Sequence, residues 1–133
     1  MRLHGGDTWL HVAPMFHLVD AFAIYAITHV GGKHVILPSF SAAETLHVIE
    51  RERVSVTNMA STMMLLCVNN PLAALVDTSS LRMVSCGGSP LPPAAVRRAV
   101  ASLGCEFFMS YGMTECWCVH ADCASLATTA RAL

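Results

Sequence analysis

The sequence predicts an α/β fold with a partial, mostly parallel sheet and helices on both of its faces. Short apolar segments typical of strands alternate along the chain with longer helical segments, and Gly, Pro or a helix cap marks most changes between them. There is no internal repeat and no low-complexity linker. Such alternation favours parallel strands, because the crossover helices cover both faces of the sheet.

The first two strands and two helices each have a local signal. Residues 8–13 form an apolar strand, and the helix at 18–30 ends at two glycines. This helix lacks a polar face, which predicts burial on most sides. A proline ends the second strand, 33–37. The helix at 41–53 starts with a capping box, in which a serine hydroxyl and a glutamate carboxylate satisfy free backbone N–H groups.

The rest of the chain continues the alternation. A strand at 54–58 and a helix at 61–69 lie in a long uncharged run, and its Asn and Pro residues argue against a membrane span. A fourth strand is predicted at 81–85. The helix at 92–104 opens on two prolines, where a missing N–H is harmless, and closes at a glycine. The last predicted strand is 105–110.

Composition excludes several classes of protein. The chain has 133 residues, of which 54% are hydrophobic and 13% charged, so it is not a disordered polypeptide. A net charge of −1 gives no basic surface for nucleic acid. The N-terminus has no apolar targeting segment and the C-terminus no peroxisomal address, which favours the cytoplasm. The low charge also indicates that much of the surface packs against another part of a larger protein.

A nucleotide site is predicted where the last strand ends. After the apolar residues 107–109, the chain runs into Tyr111, Gly112, Thr114 and Glu115. An aromatic ring can pack on a base, a glycine lets the backbone approach a ligand, a hydroxyl can bond a phosphate oxygen, and a carboxylate suits Mg²⁺. Ligands of open α/β sheets gather at the carboxyl ends of strands.

Two further segments join this one in a family resemblance. The sequence Pro-Met-Phe-His at 14–17 follows the first strand, and Gly-Gly-Ser-Pro at 87–90 follows the fourth. Together with Tyr-Gly-Met-Thr-Glu at 111–115, in this order, they resemble the adenylate-forming, or AMP-binding, superfamily of acyl-CoA synthetases, 4-coumarate–CoA ligase-like enzymes and luciferases. The similarity covers roughly residues 8–115, which makes it more specific than any single motif.

The resemblance implies an ATP-dependent acid–thiol ligase. A carboxylic acid would form an acyl-adenylate with ATP and Mg²⁺, and coenzyme A would then take the acyl group. Such a reaction depends on positioning and electrostatics, without a covalent enzyme intermediate. The alternative is a non-catalytic remnant of the fold that binds a nucleotide or a partner.

The family pattern also implies roles for individual residues. Thr114, Glu115 and His17 would carry the chemistry: Thr114 bonds the α-phosphate, Glu115 holds the metal, and His17 lies between the acyl group and the thiol entry. The cofactor-binding residues would be Gly87, Gly88, Ser89, Pro90, Tyr111, Gly112, Met113 and Thr114. Within this set, Tyr111 packs on adenine, and Gly112 and Met113 border the acyl pocket.

Departures from the family pattern indicate that residues 1–115 are the central part of an AMP-binding domain. The Gly- and Ser/Thr-rich phosphate loop, the ribose-binding aspartate motif and the C-terminal domain with its lysine are not found. The remainder of a parent enzyme is therefore the expected partner. Ser61 stands where relatives often carry proline. Residues 116–133 are predicted to be a divergent, poorly ordered tail.

The tail also contains a weak candidate for a zinc site. Cys116, Cys118, His120 and Cys123 are possible ligands, but their spacing is tighter than in most zinc sites, so unpaired thiols are the preferred interpretation. The remaining cysteines, at 67, 86 and 105, lie in apolar stretches and are predicted to be core residues. Apart from His17, the histidines before the tail, including His11 and His34, are predicted to have no functional role.

Overall fold

A computed structural model of the protein describes residues 2–115 and 117–121, with side chains at all of these positions except 19 and 117–121. Its strands are β1 Thr8–His11, β2 Lys33–Ile36, β3 Val56–Ala60, β4 Met83–Gly87, β5 Glu106–Met113 and β6 Trp117–Ala121. Its helices are α1 Leu18–Val30, α2 Ala42–Glu52, α3 Ser61–Val68 and α4 Pro93–Leu103, with a short 3₁₀ helix at Pro71–Ala74.

The described strands form one sheet in the order β2-β1-β3-β4-β5-β6. All neighbours are parallel except β5 and β6, which form an antiparallel pair. The predicted mostly parallel α/β fold is therefore confirmed. Because the parallel strands share a direction, the segments that follow β1, β3, β4 and β5 leave the sheet at the same edge.

Helices cover both faces of the sheet, as predicted. Helix α1 packs on one face, where Ala23 and Ile27 meet Trp9, Val56 and Met83. The other face carries the larger core, to which α2, α3 and α4 contribute apolar side chains. Adjacent strand residues point to opposite faces, and two distinct apolar layers result.

The glycines that were predicted to end two of the helices do so in the structure. Gly31 and Gly104 end α1 and α4 in the left-handed conformation, with φ of 75° and 67°. Helix α2 ends instead at Arg53, a non-glycine residue with φ of 53°. The Ser41 side chain accepts a hydrogen bond from the Glu44 backbone N–H at 3.5 Å, which supplies the serine half of the predicted capping box.

Some strands begin or end at other residues than predicted, because pairing with the neighbouring strand determines their bounds. β3 and β4 each lie two residues further along the chain than predicted, because Val56 to Ala60 pair with Met83 to Gly87. β5 does not end at Ser110. It continues to Met113, since its last residues pair with β6. The sequence analysis did not predict β6, which lies in the segment expected to be a poorly ordered tail.

An ion pair between the buried Asp7 and the partly exposed Arg82 connects the amino-terminal ends of three strands. Asp7, which is 1% exposed, precedes β1 and accepts hydrogen bonds from Arg82 Nε at 2.9 Å and Nη2 at 2.6 Å. Ser55 Oγ donates to the same carboxylate at 2.7 Å. Burial acts to raise the pKa of Asp7, but the bonds from Arg82, Ser55 and the His4 backbone outweigh it and lower the pKa to about 2.

We predict that this carboxylate stabilises the fold at neutral pH and that its contribution disappears in acid. Because the pKa of Asp7 is lowered from 3.8 to about 2 in the folded chain, the contribution is complete above the unfolded value and lost as the pH falls toward 2. Asp7→Asn should cost roughly 2–3 kcal/mol in urea unfolding at pH 7 and much less near pH 2.5.

Asp77→Asn is the matched control, because Asp77 is an exposed carboxylate paired with Arg53 at 2.8 Å. It should change stability little at either pH. Equal losses for the two variants at pH 7 would show that the pair of Asp7 with Arg82 has no special role.

None of the helices in the part of the chain that the structure describes is long and apolar enough to cross a membrane.

Candidate functional site

A cavity of about 350 Å³ opens at the carboxyl edge of the parallel strands, on the face that α1 covers. Its lining combines the ends of four strands with the start of α1 and the first turns of α3. The lining residues are Ala13, Pro14, His17, Leu18, Phe22, Asn58, Ala60, Met63, Ser85, Gly87, Gly88, Ser110, Gly112, Met113 and Thr114. All three segments that were predicted to form the site therefore reach one cavity.

The sheet side of the cavity carries two buried polar residues that the sequence analysis missed. Asn58 on β3 and Ser85 on β4 are direct register partners, and each is 2% exposed. Register partners share a face of the sheet, so both side chains belong to the α1 face at this edge. The available signal was one polar residue at Asn58 and one at Ser85, but only the register shows that the two are neighbours.

His17 lies at the start of α1. A turn closes before it, in which the His17 N–H donates to the Pro14 carbonyl at 3.0 Å. His17 is the N-cap residue of α1, and its imidazole makes no capping bond to the described backbone. The side chain is exposed and borders the cavity. The His17 side chain therefore lies where the predicted contact with an acyl group is possible.

A close contact between β4 and β5 requires glycine at position 87. A Cβ atom there would clash with Ser110 Oγ and would lie 2.8 Å from the Ser110 carbonyl oxygen. The next residue, Gly88, has φ of 83° and turns the chain out of the sheet. Position 87 therefore requires glycine because β4 and β5 pack closely, and position 88 favours glycine because its backbone is left-handed.

Ser61, at the start of α3, is hydrogen-bonded to the same loop. Its hydroxyl donates to the Ser89 carbonyl at 2.6 Å. Proline, which relatives often carry at this position, has no such donor. This departure from the family pattern therefore adds a bond between α3 and the loop at 87–90. Ser89 and Pro90 themselves are exposed and stand outside the cavity lining.

The segment at 111–115 is the part of the β5–β6 hairpin that ends β5 and begins the turn. Tyr111, Gly112 and Met113 belong to strand β5, whereas Thr114 and Glu115 lie in the turn that follows. The sequence analysis placed the strand end before Tyr111, which was wrong because β6 pairs with this stretch. Gly112, Met113 and Thr114 line the cavity. Tyr111, with 67% of its surface exposed, and Glu115 lie outside its lining.

The described residues offer one carboxylate at the site for a metal ion. No group of three or more His, Cys, Asp or Glu residues within the described ranges has the geometry of a metal site. Glu115 is exposed next to the cavity-lining Thr114. A single carboxylate fits Mg²⁺ that is bound mainly by phosphate and water. Of the weak zinc-site candidates in the tail, Cys116 and Cys123 lie outside the described residues, as do the side chains of Cys118 and His120.

The buried cysteines do not serve as nucleophiles. Burial raises the pKa of the Cys67 and Cys105 thiols to about 12 and also raises that of Cys86. A thiol with a raised pKa is protonated at neutral pH and unreactive. The prediction that these three are core residues is confirmed by their burial.

Two histidines have roles that the sequence analysis did not expect. His11 is 1% exposed, and its Nδ1 lies 2.8 Å from Asp20 Oδ2. Its Nε2 lies 2.9 Å from Nδ1 of His34, which is on the neighbouring strand β2. Sequence spacing predicted no partner for His34 and no role for His11, and the structure shows that each has hydrogen-bond partners. Sequence spacing hid the contact, since His11 and His34 are brought together only by the β1–β2 register.

The family pattern of AMP-binding enzymes matches residues 1–132 of the sequence. This chain belongs to the AMP-binding enzyme family. Among curated proteins of that family, 4-coumarate–CoA ligase 1 of Oryza sativa subsp. japonica is 32% identical over 127 residues, which cover 94% of the chain and 22% of the ligase. The 2-succinylbenzoate–CoA ligase of Bacillus pumilus is 31% identical over 131 residues, covering 98% and 25%. The chain thus spans about a quarter of the length of these relatives.

Solved structures support the same fold. The O-succinylbenzoate coenzyme A synthetase of Bacillus subtilis, in complex with ATP and magnesium ion, superposes with a TM-score of 0.71 at 29% identity, over 82% of this chain and 22% of that one. The N-terminal domain of FACL13 from Mycobacterium tuberculosis superposes with a TM-score of 0.80 at 24% identity, over 86% and 29%. The second similarity concerns the fold alone.

We predict that Gly87→Ala disrupts the site by separating the tips of β4 and β5. The added Cβ would contact the Ser110 carbonyl oxygen, which cannot move without breaking the pairing of the two strands. The cost should be roughly 2–3 kcal/mol in urea unfolding.

Gly31→Ala is the control, because Gly31 has φ of 75° at the end of α1 but no atom within 4 Å of its added Cβ. It should cost only about 1 kcal/mol, from backbone conformation alone. If both substitutions cost the same, the close contact at Gly87 does not constrain the site.

Proposed function

We propose that this chain is the acyl-adenylate-forming segment of an ATP-dependent acid–CoA ligase. The observation that carries the proposal is the convergence of three separate segments on one cavity. His17, the loop that starts at Gly87, and the hairpin at Thr114 come from different parts of the sequence but border the same space at the carboxyl edge of the sheet. The coenzyme A ligases among the relatives support this reading.

The proposed reaction has two steps. A carboxylate oxygen of the acid attacks the α-phosphorus of ATP, the bond to pyrophosphate breaks, and an acyl-adenylate forms. The sulfur of coenzyme A then attacks the acyl carbon, and AMP leaves as the carbon–oxygen bond breaks. Charge develops on phosphate oxygens in the first step, so hydrogen-bond donors and a divalent cation aimed at them would lower its barrier.

The nucleotide fits the hairpin side of the cavity. The exposed ring of Tyr111 offers a flat surface for adenine, and the backbone at Gly87 and Gly88 has no side chain to block a ligand. The Thr114 hydroxyl would donate to the α-phosphate. Glu115 would supply one carboxylate oxygen to Mg²⁺, which, when bound, would neutralise charge on the phosphates.

The acid fits the α1 side of the cavity. Leu18, Phe22 and Met63 provide apolar surface, and Met113 borders the space between this side and the hairpin. His17 stands at the opening, where an acyl group would meet the incoming thiol. Asn58 and Ser85 add polar groups to the sheet side of an otherwise largely apolar wall.

We also propose that the exposed apolar side chains of this chain pack against other parts of a larger enzyme. Phe16, Tyr25 and Leu75 are each at least 77% exposed. Large exposed apolar side chains of this kind often mark interfaces.

A chimera tests the proposed function. Residues 8–115 should replace the equivalent segment of an active acid–CoA ligase, which supplies the remaining parts of the site. We expect the chimera to form acyl-adenylate, measured by acid-dependent release of pyrophosphate. A chimera that folds and binds ATP but releases no pyrophosphate with any acid the host accepts would support the non-catalytic alternative.

Point variants in the chimera separate the proposed roles. Glu115→Gln should slow adenylation roughly 10- to 100-fold by weakening Mg²⁺, so added Mg²⁺ should restore part of the rate. Thr114→Ala should slow it without such a recovery, because free metal does not replace a hydrogen bond. His17→Ala should affect acyl binding or thiol transfer more than pyrophosphate release. An unchanged Mg²⁺ dependence in Glu115→Gln would remove this carboxylate from the metal site.

A further inference from the structure

Helix α1 forms one wall of the cavity through His17, Leu18 and Phe22, so its position relative to the sheet sets the width of the site. The His17 carbonyl accepts hydrogen bonds from the N–H groups of Asp20 at 3.0 Å and Ala21 at 2.9 Å. The position of Asp20 therefore fixes the backbone of His17 through the first turn of the helix.

Asp20 is fully buried, and both of its carboxylate oxygens are bonded to β1. Trp9 Nε1 donates to Oδ1 at 3.1 Å, and His11 Nδ1 lies 2.8 Å from Oδ2. Trp9 and His11 are two residues apart on the strand and therefore point to the same face. A buried carboxyl group that is hydrogen-bonded to two ring nitrogens of one strand is a rigid link, because leaving a polar group unpaired inside the protein is costly.

The hydrogen bonds continue from His11 to the far end of α1. His11 Nε2 lies 2.9 Å from His34 Nδ1, and His34 Nε2 lies 3.0 Å from Thr28 Oγ1. The Thr28 hydroxyl donates to the Ile24 carbonyl at 2.6 Å, a distance at which a proton must separate the two oxygens. We call Asp20, His11, His34 and Thr28 the α1 anchor.

Each imidazole nitrogen of the α1 anchor has one polar partner. His11 Nδ1 faces Asp20, His11 Nε2 and His34 Nδ1 face each other, and His34 Nε2 faces the Thr28 hydroxyl. Because the Thr28 hydroxyl donates to Ile24, His34 Nε2 is the donor to Thr28. The two rings therefore link the carboxyl group of Asp20 to the last turns of the same helix.

We propose that Asp20 is a positioning residue for the acyl side of the site. It holds the first turn of α1, and with it His17, against β1 through its hydrogen bonds with Trp9 and His11. The link to the acyl site rests on the proposed function, whereas the anchor itself is a property of the fold.

Nuclear magnetic resonance on the full 133-residue chain tests the anchor directly. With ¹⁵N-labelled histidine at pH 7, we expect the ring-nitrogen signals of His11 to shift after Asp20→Asn, because the partner of Nδ1 changes from a carboxyl group to an amide. Amide hydrogen exchange at residues 20 and 21 should rise about tenfold in that variant, while exchange at Gly31 and Gly32, at the other end of α1, changes less. Unchanged His11 signals, or unchanged exchange at residue 21, would overturn the proposal.

Glu44→Gln is the matched control, because Glu44 lies in the first turn of α2 but its side chain is 50% exposed. It should change neither the histidine signals nor exchange in α1. If Asp20→Asn does not fold, Trp9→Phe removes one donor and keeps the aromatic packing. Exchange at residue 21 should then rise about threefold, and no rise would contradict the positioning role.

Kinetics in the chimera connect the anchor to the site. Asp20→Asn should raise the KM for the acid about tenfold and leave the KM for ATP within about twofold, since the nucleotide side does not include α1. Equal changes in both KM values would show a general structural effect and contradict the proposal. If the unaltered chimera is inactive, the proposed function fails, while the resonance experiment still decides whether the anchor exists.

Discussion

The parallel pairing of β1, β3, β4 and β5 determines which segments of the chain meet at the cavity. Buried strands must satisfy every backbone N–H and C=O with a neighbour, so the register of one strand fixes the next. Once Trp9 pairs with Val56, Val56 with Met83, and Met83 with Glu106, the carboxyl ends of all four strands lie at one edge. Segments that are far apart in the sequence then share one cavity.

The two ends of the sheet carry different kinds of polar group. At the amino-terminal end, Asp7 and Arg82 form a closed, fully bonded ion pair that holds strands together. At the carboxyl end, the chain presents glycine backbone, exposed hydroxyl and carboxylate groups, and an apolar wall from α1. An arrangement of this kind is suited to holding a charged ligand in place, and positioning is the main source of catalysis in a reaction without a protein nucleophile.

The sequence predicts the fold class and the helices because their signals are local. Gly31 and Gly104 at helix ends, the Ser41 cap and the apolar strand segments all act within a few residues. The three segments of the site were also predictable, by resemblance. The features that could not be predicted from the sequence depend on the register between strands. They are the extension of β5 through Tyr111, the neighbouring positions of Asn58 and Ser85, and the contact of His11 with Asp20 and His34.

These missed features have a common physical origin. The position of a side chain across a sheet depends on which residue of the next strand it faces, and a shift of one residue reverses its face. His11, for example, alternates with apolar residues along β1 and shows no partner nearby in the sequence. Its partners come from α1 and β2, nine and 23 residues away. Only the folded arrangement reveals that a buried carboxylate anchors the helix that borders the cavity.

A crystal structure of the chimera with a stable acyl-adenylate analogue would show which part of the cavity holds the nucleotide and which holds the acyl group. We expect adenine against the ring of Tyr111 and the backbone at Gly87 and Gly88, the phosphate mimic within hydrogen-bond distance of the Thr114 hydroxyl, and the acyl group beside α1 near His17. An analogue bound with its adenine on the α1 side, or with no contact to residues 87–88 and 111–115, would contradict this expectation.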